Sequence, residues 1–411
     1  MKLSNFCNER YNYELEKLCR LFLPFEKIEV IKEEADDDIC GLVKWVNGRE
    51  EKQAKARLCA YGKTAEYTAE IENPQDKREI ETTVCFALYK CFCEIFGYNI
   101  EWGILTGIRP AKLFSSLCGS LGEEKAIKYF KEKFGVSDEK IELCTATAKG
   151  ERDIIEKSTR DAFSLYISIP FCPSRCSYCS FVSHAVDKAQ KLIPEYLEKL
   201  SEELRITAQI ARRNGLTLKT IYIGGGTPTT LSATQLDFLL ETVKLNFDTE
   251  NLLEYTLEAG GPDTITEEKL RVIKKYGITR ISVNPQTMND NVLQVIGRKH
   301  TAKQTEEAFF TARKVGFDNI NMDLIAGLPE DTPESFANTL DRVIELDPES
   351  VTVHSLSMKR ASFLTKKGEL PDNKTGADAA AMVSTAYNKL SNAGILPYYM
   401  YRQSKTVGNL E

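Results

Sequence analysis

The hydrophobic positions of the first 150 residues follow two different spacings. Over 9–23 and again over 80–96 they recur with the period of a helix that has one buried face. Between these segments three short runs alternate as in β-strands, and Asn47-Gly48 is a typical hairpin turn between the second and the third. The predicted strands are 27–32, 41–46 and 54–59. Residues 1–150 are therefore predicted to form a small α+β domain.

From about residue 160 onward, strand-like segments alternate with amphipathic helices in six successive pairs. The predicted strands are 164–169, 220–223, 254–258, 280–284, 319–324 and 350–355. The helices begin after Pro194, Ser232, Thr266, Thr301 and Thr332, and the last one covers 377–393. Such pairs predict a parallel sheet with right-handed crossovers. A closed eight-unit barrel needs two more pairs than the sequence offers. The predicted fold class is therefore α/β, with an open six-unit (β/α)6 partial barrel over residues 160–360.

The end of the chain departs from this alternation. The tyrosine-rich segment 395–402 is not explained by the six strand–helix pairs, and no closing element follows it before Glu411. We therefore expect residues 361–411 to be the start of a C-terminal extension that is truncated.

The composition indicates a globular protein without a general affinity for polyanions. Hydrophobic residues make up 42% of the chain and the formal net charge is -6, whereas nonspecific binding to nucleic acid needs a basic surface. No apolar run reaches the roughly 18 residues that span a bilayer, and the N-terminus lacks the apolar stretch of a signal peptide. We therefore expect a cytoplasmic protein that binds neither nucleic acid nor membranes.

Nine of the 12 cysteines precede residue 150, and we expect them to act mainly as small apolar side chains. They lack the density of a small secreted disulfide scaffold. Cys91 and Cys93 do not predict a metal site, because side chains two positions apart on a helix point in different directions. The nearby segment 103–110, which contains Arg109 and two glycines, is either a turn before a helix or a functional loop.

The last three cysteines form a compact pattern directly after the first barrel strand. Cys172, Cys176 and Cys179 are spaced C-x3-C-x2-C. Thiolates are the usual ligands of iron–sulfur clusters, and three of them on a four-iron cluster leave one iron open for chemistry. Barrels of β/α units carry their active sites at this end of the strands. A structural zinc ion with a distant further ligand, such as His184, is the alternative.

Glycine-rich and polar segments follow the later strands at the same predicted end. The loop 224–229 reads Gly-Gly-Gly-Thr-Pro-Thr, and the lack of side chains lets a ligand approach its backbone closely. Polar residues at the ends of the next three strands are Glu258, Asn284, Gln286 and Asp323. Arg298 adds a positive charge suited to a carboxylate ligand or to a surface ion pair. We expect these groups to converge on one barrel mouth.

The motifs resemble those of a known superfamily. The cysteine pattern with an aromatic residue before its last cysteine, followed by the glycine loop, resembles the radical S-adenosylmethionine superfamily over residues 163–360. The run from Tyr166 to Cys172 is similar to the oxygen-independent coproporphyrinogen III oxidase family. The segment 103–110 and the run from Cys172 to Phe181 are similar to the HemZ-like subgroup, whose members carry an additional N-terminal domain.

This resemblance implies two cofactors, a 4Fe-4S cluster and S-adenosylmethionine. The implied cluster ligands are Cys172, Cys176 and Cys179, with Phe171 and Tyr178 shielding the cluster from water. The implied contacts to S-adenosylmethionine are Tyr166, Gly225, Gly226, Thr227 and Glu258, and Gln286, Arg298 and Asp323 match contacts to a second molecule. The implied reaction is radical decarboxylation of a porphyrinogen propionate to a vinyl group, driven by an external electron donor of the flavodoxin or ferredoxin type.

The sequence differs from the family pattern in two places. Phe181 stands where the oxidases carry a fourth cysteine, and relatives that act as heme chaperones also lack that cysteine. Most of the C-terminal region that helps to cover substrate in the family is missing as well. Two alternatives to the oxidase therefore stay open, a heme-delivery protein and a radical enzyme with another substrate. Lys359 and Arg360 are either contacts for substrate carboxylates or a solvated charge pair.

Overall fold

The fold was examined in a computed structural model that describes residues 1–24, 26–47, 52–107, 109–181, 183–357, 362, 373–402 and 410. The described residues of Met1–Arg152 and of Pro397–Ser404 form one compact unit, the N-terminal unit. Those of Asp153–Leu396 and of Lys405–Glu411 form the other, the barrel unit. Residues predicted as the start of a C-terminal extension are thus divided between the two units.

The N-terminal unit is built on a five-stranded mixed sheet. Its strands are β1 (Lys2–Asn5), β2 (Glu29–Ile31), β3 (Cys40–Asn47), β4 (Lys52–Ala60) and β5 (Lys63–Glu70). The strand order is β2-β1-β3-β4-β5, with β1 parallel to both of its neighbours and β3, β4 and β5 forming an antiparallel meander. Asn47 pairs with Lys52, so β3 and β4 form the predicted hairpin, whereas Gly48 of the predicted turn lies outside the described residues.

Helices cover one face of this sheet. The helices of this part of the chain are α1 (Asn12–Phe22), α2 (Lys77–Phe96), α3 (Pro110–Leu121), α4 (Glu123–Glu132) and α5 (Asp138–Glu156). Leu3, Val43 and Leu58 from the sheet pack with Leu15 and Leu88 from α1 and α2 in one buried core. The strands β1 and β5 were not predicted, because each is short or rich in polar residues and has little hydrophobic alternation of its own.

The barrel unit contains a six-stranded sheet in which all strands are parallel. The strands are β6 (Ala162–Ile169), β9 (Thr217–Gly225), β10 (Glu254–Gly260), β11 (Arg280–Val283), β12 (Ile320–Ala326) and β13 (Ser350–Ser355). Their order is β13-β12-β11-β10-β9-β6, so each strand lies beside the next one in the chain. Two further short strands, β7 (Phe171–Cys172) and β8 (His184–Ala185), form a separate parallel pair. The prediction of an open six-unit α/β barrel is confirmed.

A helix follows each of the six main strands. The helices are α6 (Val186–Ala189), α7 (Ile193–Arg213), α8 (Ala233–Asn246), α9 (Glu267–Lys275), α10 (Asp290–Val295), α11 (Ala302–Val315), α12 (Pro333–Glu345) and α13 (Asn373–Asn392). Ser232 and Thr301 form capping boxes at the starts of α8 and α11, and Thr332 caps α12. None of the helices in the described part of the chain is long and apolar enough to cross a membrane.

The two faces of the barrel sheet differ in polarity. Apolar residues at alternate positions, such as Ile167, Ile223 and Leu257, are buried in the core formed with the helices. The residues between them are polar and share the opposite face: Ser164, Tyr166, Ser168, Thr220, Tyr222, Glu254, Thr256, Glu258, Arg280, Ser282, Asn321, Asp323 and Thr352. A buried parallel sheet is usually apolar on both faces. The polar face of this sheet therefore indicates a hydrated or ligand-binding interior.

Candidate active site

The cysteine loop begins where β6 ends. Cys172 lies in β7, whose pairing with β8 closes the loop that carries the other two cysteines. The Cys179 N–H donates to the Cys176 carbonyl at 3.1 Å, which gives the loop a tight turn. The Ser177 N–H donates to the Ile296 carbonyl at 3.0 Å. These bonds attach the loop both to its own base and to the segment that follows α10.

The three thiols of this loop are free, and they differ in how much of each side chain is exposed to solvent. Cys172 and Cys179 are partly exposed, whereas Cys176 is buried. Burial raises the pKa of Cys179, and the neighbouring Cys176 and Cys172 add to that rise. Among the described residues, no three His, Cys, Asp or Glu side chains converge in the manner of ligands of a single metal ion. A cluster distributes its thiolates over separate irons and does not require such convergence.

The glycine loop packs directly against the cysteine loop. The Gly226 N–H donates to the Ile169 carbonyl at 2.8 Å, and the Thr227 N–H donates to the Phe171 carbonyl at 2.7 Å. A Cβ atom on Gly226 would lie 2.7 Å from the Phe171 carbonyl oxygen and 2.9 Å from the Cys172 Sγ. The glycine therefore makes room for the first cysteine of the pattern.

Gly225 needs to be glycine for a different reason. Its φ is +107°, a conformation that side chains rarely adopt, and a Cβ there would lie 2.6 Å from the Ser168 Oγ. The loop thus presents bare backbone beside the first strand. Such a surface lets a ligand approach the peptide groups closely.

Tyr166, Tyr222 and Glu258 form a connected group on the polar face. The two tyrosines are opposite each other in the register of β6 and β9, and their rings stack at 5.7 Å between centroids. The Tyr222 hydroxyl donates to the Glu258 Oε1 at 2.6 Å. Gly224 leaves space for this contact, because a Cβ there would lie 2.8 Å from the same Oε1.

The folded protein raises the pKa of the Glu258 carboxyl, so that a larger share of it is protonated near neutral pH. Its pKa is raised from 4.5 to about 7, mainly by burial, while the hydrogen bond from Tyr222 lowers it and the charge of Asp323 raises it. Two carboxylates thus lie on one polar face near the glycine loop. A cation placed between them would favour the ionised form of Glu258.

Gln286 has a strained backbone at the end of β11. Its φ is +67°, which is uncommon for a residue with a side chain. The Gln286 N–H donates to the Asp323 carbonyl at 2.9 Å, and its own carbonyl accepts from the Ile325 N–H at 3.0 Å. Both bonds to β12 hold the residue in this conformation. Backbone conformations of this kind concentrate at functional sites. Here the two bonds place Gln286 beside Asp323, the residue predicted to act with it.

Asp323 belongs to a polar network on the same face. The Asn321 Nδ2 donates to the Asp323 Oδ1 at 2.7 Å and to the Ser282 Oγ at 2.7 Å. The Asn321 Oδ1 accepts from Arg280 at 3.1 Å and from Thr352 at 2.8 Å. Asn321 therefore orients the carboxylate, and neighbours from β11 and β13 hold Asn321 in place.

Arg298 connects to the cysteine loop through Tyr178. Its Nη2 donates to the Tyr178 hydroxyl at 3.0 Å, while its buried Nε has no hydrogen-bond partner among the described residues. Burial raises the pKa of Tyr178, so the phenol stays neutral. A surface ion pair was one of the two alternatives for Arg298, and the described residues instead show it buried, with the charge of nearby Asp263 acting on it. Its unpartnered Nε leaves the guanidinium able to bind an anionic ligand as well.

His300 lies close to this arginine and is buried. Neither of its ring nitrogens has a hydrogen-bond partner within the described ranges. Burial and the positive charge of Arg298 together lower its pKa to about 4, against the opposing charge of Asp263. Asn284 also buries an unpartnered Oδ1 in the described structure. Buried polar atoms without partners in a protein normally meet water or a ligand.

The donor set fits the two predicted cofactors. Three free thiols with a glycine beside one of them suit an iron–sulfur cluster, which is bound by thiolates. Two carboxylates, Glu258 and Asp323, and the guanidinium of Arg298, whose Nε has no partner in the described structure, suit a ligand with cationic groups and a carboxylate, as in S-adenosylmethionine. The sequence pattern identified each of these residues but missed Tyr222. Its position two residues before the glycine loop, opposite Tyr166 in register, was the available signal.

Comparison with known proteins gives the family. The model of the radical SAM superfamily matches residues 166–343. The oxygen-independent coproporphyrinogen-III oxidase-like protein HemZ of Bacillus subtilis is 37% identical over 349 residues, which is 84% of this chain and 70% of that protein. The heme chaperone HemW of the same organism is 36% identical over 241 residues, which is 57% of this chain and 62% of that protein.

A solved structure supports the same assignment. The coproporphyrinogen III oxidase HemN of Escherichia coli, described as a radical SAM enzyme, has a TM-score of 0.50 and 29% identity over 56% of this chain and 52% of its own. The superfamily uses a 4Fe-4S cluster and S-adenosylmethionine, so the prediction of these two cofactors is confirmed. This chain belongs to the radical SAM superfamily and, within it, to the oxygen-independent coproporphyrinogen III oxidase-like family that includes HemZ.

Proposed function

We propose that this protein carries out the oxygen-independent oxidative decarboxylation of coproporphyrinogen III to protoporphyrinogen IX in heme biosynthesis. The observation that carries the proposal is the contact of the glycine loop with the cysteine loop, at the open end of a barrel with a polar interior. The choice of substrate rests on the HemZ and HemN relatives, whose names refer to coproporphyrinogen oxidation. We keep the cytoplasm as the predicted location.

The cysteine loop provides the ligands in this proposal. Cys172, Cys176 and Cys179 would hold the 4Fe-4S cluster, and the chain offers no fourth thiolate from this loop, because Phe181 stands at the corresponding position. When bound, the cluster and S-adenosylmethionine together supply an organic radical that removes a hydrogen atom from the substrate. Phe171 and Tyr178 would exclude water from the cluster.

The polar face would bind and orient S-adenosylmethionine. The residues proposed to contact it are Tyr166, Tyr178, Gly225, Gly226, Thr227, Glu258, Gln286, Arg298 and Asp323. The sulfonium and ammonium groups of this ligand carry positive charge, and Glu258 must lose its proton to offer a full negative charge. We therefore expect the affinity for S-adenosylmethionine to rise with pH and to level off above about pH 7.

The second candidate is a heme-delivery protein on the same scaffold. Phe181, which replaces the fourth cysteine of the oxidases and is 68% exposed, favours it, as does the similarity to HemW. The substrate contacts do not decide between the candidates, since Lys359 and Arg360 lie outside the described residues. An electron donor of the flavodoxin or ferredoxin type is part of the oxidase proposal only.

The test is an anaerobic turnover assay. Protein with a reconstituted cluster is mixed with reductant, S-adenosylmethionine and coproporphyrinogen III, and 5'-deoxyadenosine and protoporphyrinogen are quantified together. The oxidase proposal predicts that both products accumulate. Formation of 5'-deoxyadenosine without decarboxylation would refute it. Stoichiometric binding of hemin in a parallel titration, without decarboxylation, would favour heme delivery.

A further inference from the structure

Two cysteines of the N-terminal unit face each other across a pair of strands. Cys40 on β3 and Cys59 on β4 are direct partners in the antiparallel register. Directly opposed residues in such a pair have Cα atoms about 4.5–5.5 Å apart, and a disulfide needs about 4.4–6.8 Å. Both side chains therefore point to the same face at a distance that a disulfide can bridge.

This face is the one that the helices do not cover. Across the sheet, Lys2, Cys40, Cys59 and Thr64 form one row, as the strand registers give it. The adjacent row contains Leu3 and its neighbours, which are buried in the core. Both cysteines are partly exposed. Small thiol reagents can therefore reach them from solvent.

The two thiols lie close enough to affect each other's ionisation. The Cys59 Sγ lies 3.5 Å from the Thr64 Oγ1. Burial raises the pKa of Cys40, and the neighbouring Cys59 adds to that rise. A smaller fraction of Cys40 is therefore ionised at a given pH than of an unperturbed thiol.

Other cysteines of this unit lack this combination. Cys19 and Cys85 are fully buried, and burial raises the pKa of Cys19 to about 12. Cys91 and Cys93 lie two positions apart on α2 and point in different directions. In the described ranges, only Cys40 and Cys59 combine opposed strand positions with partial exposure.

We propose that Cys40 and Cys59 are a modification site that closes to a reversible disulfide on reaction with a small disulfide such as oxidised glutathione. The Cys59 thiolate attacks one sulfur of the reagent, which forms a mixed disulfide and releases one glutathione thiolate. The Cys40 thiolate then attacks Cys59 Sγ and releases the second glutathione. The two thiol protons end on the released glutathiones, so one dithiol is oxidised and one disulfide is reduced.

The bond would join two neighbouring strands of the meander covalently. It would fix the register of β3 against β4 near the end where β1 and β5 also pair. Reducing agents would reopen it. The site is independent of the proposed decarboxylation, because it uses neither the cluster nor S-adenosylmethionine.

The experiment is a thiol map of the cluster-loaded protein. The protein is incubated without oxygen in mixtures of reduced and oxidised glutathione, the remaining thiols are alkylated, and the unreduced protein is digested with trypsin. Lys44 and Lys55 separate the two cysteines on different peptides, so a disulfide appears as one linked pair. We expect this linked pair as the main product with oxidised glutathione and its disappearance after dithiothreitol.

Single substitutions distinguish a linked pair from two independently reactive thiols. In Cys40→Ser the proposal predicts a stable glutathione adduct on Cys59, because the resolving thiol is gone, and Cys59→Ser should prevent the linked pair as well. The proposal is overturned if both cysteines of the unmodified sequence stay alkylatable, or if they carry two separate glutathione adducts. Iron content measured in parallel verifies that the cysteine loop of the barrel unit has not reacted.

Discussion

Replacing Glu258 with glutamine should stabilise the barrel unit, and only at the pH where the carboxyl is forced to ionise. The folded protein raises the pKa of this group from 4.5 to about 7. Each pH unit between these values corresponds to about 1.36 kcal/mol, so ionising Glu258 in the folded state costs about 3 kcal/mol. Glutamine keeps an oxygen that accepts from Tyr222 but carries no charge.

The unfolding free energy of the unmodified protein should fall relative to that of Glu258→Gln as the pH rises. Because the folded state binds the proton more tightly than the unfolded state, the penalty is absent below about pH 4.5, grows as the pH rises, and is complete above about pH 7. The difference in unfolding free energy between Glu258→Gln and the unmodified protein should therefore increase by about 2.5 kcal/mol between pH 5 and pH 8. A constant offset from the amide group cancels in this comparison.

The assay is urea unfolding of the cluster-free protein under reducing conditions at several pH values. The chain's two tryptophans, Trp45 and Trp102, belong to the N-terminal unit, so tryptophan fluorescence does not report on the barrel. Far-ultraviolet circular dichroism follows the helices of both units. The exposed Glu250→Gln is the matched control for exchanging a carboxylate for an amide. A difference that stays constant from pH 5 to pH 8 would refute the reasoning.

Substitutions at three further positions test the geometry of the site. Gly226→Ala should lower the iron content severalfold, because its Cβ would lie 2.9 Å from the Sγ of Cys172, a proposed cluster ligand. Gly119→Ala, which has open space around it, should keep the iron content, and equal iron in both variants would contradict this. Tyr222→Phe removes the hydrogen bond to the Glu258 carboxylate, which contributes about 1.5–3 kcal/mol. The pH midpoint of S-adenosylmethionine binding, measured by calorimetry, should therefore rise by about one to two pH units, and an unchanged midpoint would contradict this. Gln286→Gly should change the unfolding free energy measured in urea by no more than about 1 kcal/mol, because glycine adopts a positive φ readily. Gln286→Val should lower it by about 2 kcal/mol or more, and equal effects of the two substitutions would show that the folded protein does not require the positive φ.

The sequence predicts the barrel well because its signals are local and repeated. Each main strand has a short apolar alternation, and residues such as Ser232 and Thr301 mark helix starts by capping boxes that depend only on neighbours in the chain. The six strands follow each other in sheet order, so no long-range choice of partner was needed. The N-terminal sheet was predicted less completely, because β1 inserts between two later strands and pairs in parallel with both.

The proposed site residues were predicted from sequence motifs. Their pKa values and backbone conformations depend on contacts between distant parts of the chain, which no motif contains. The pKa of Glu258 depends on burial and on the contacts with Tyr222 and Asp323. These three residues come from three different strands, β10, β9 and β12. The positive φ of Gln286 depends on its bonds to β12, and no local signal in the sequence requires it. Cys40 and Cys59 were predicted to act as small apolar side chains, and only the strand register makes them neighbours.

The central claim is that the cysteine loop holds a 4Fe-4S cluster with one iron open to S-adenosylmethionine. Electron paramagnetic resonance of the reduced, anaerobic protein with and without S-adenosylmethionine tests it most directly. The claim predicts one cluster per chain, a signal that changes when the ligand is added, and loss of the cluster in Cys176→Ala but not in Cys118→Ala. A cluster signal that S-adenosylmethionine leaves unchanged, or a Cys176→Ala protein with full iron, would contradict it.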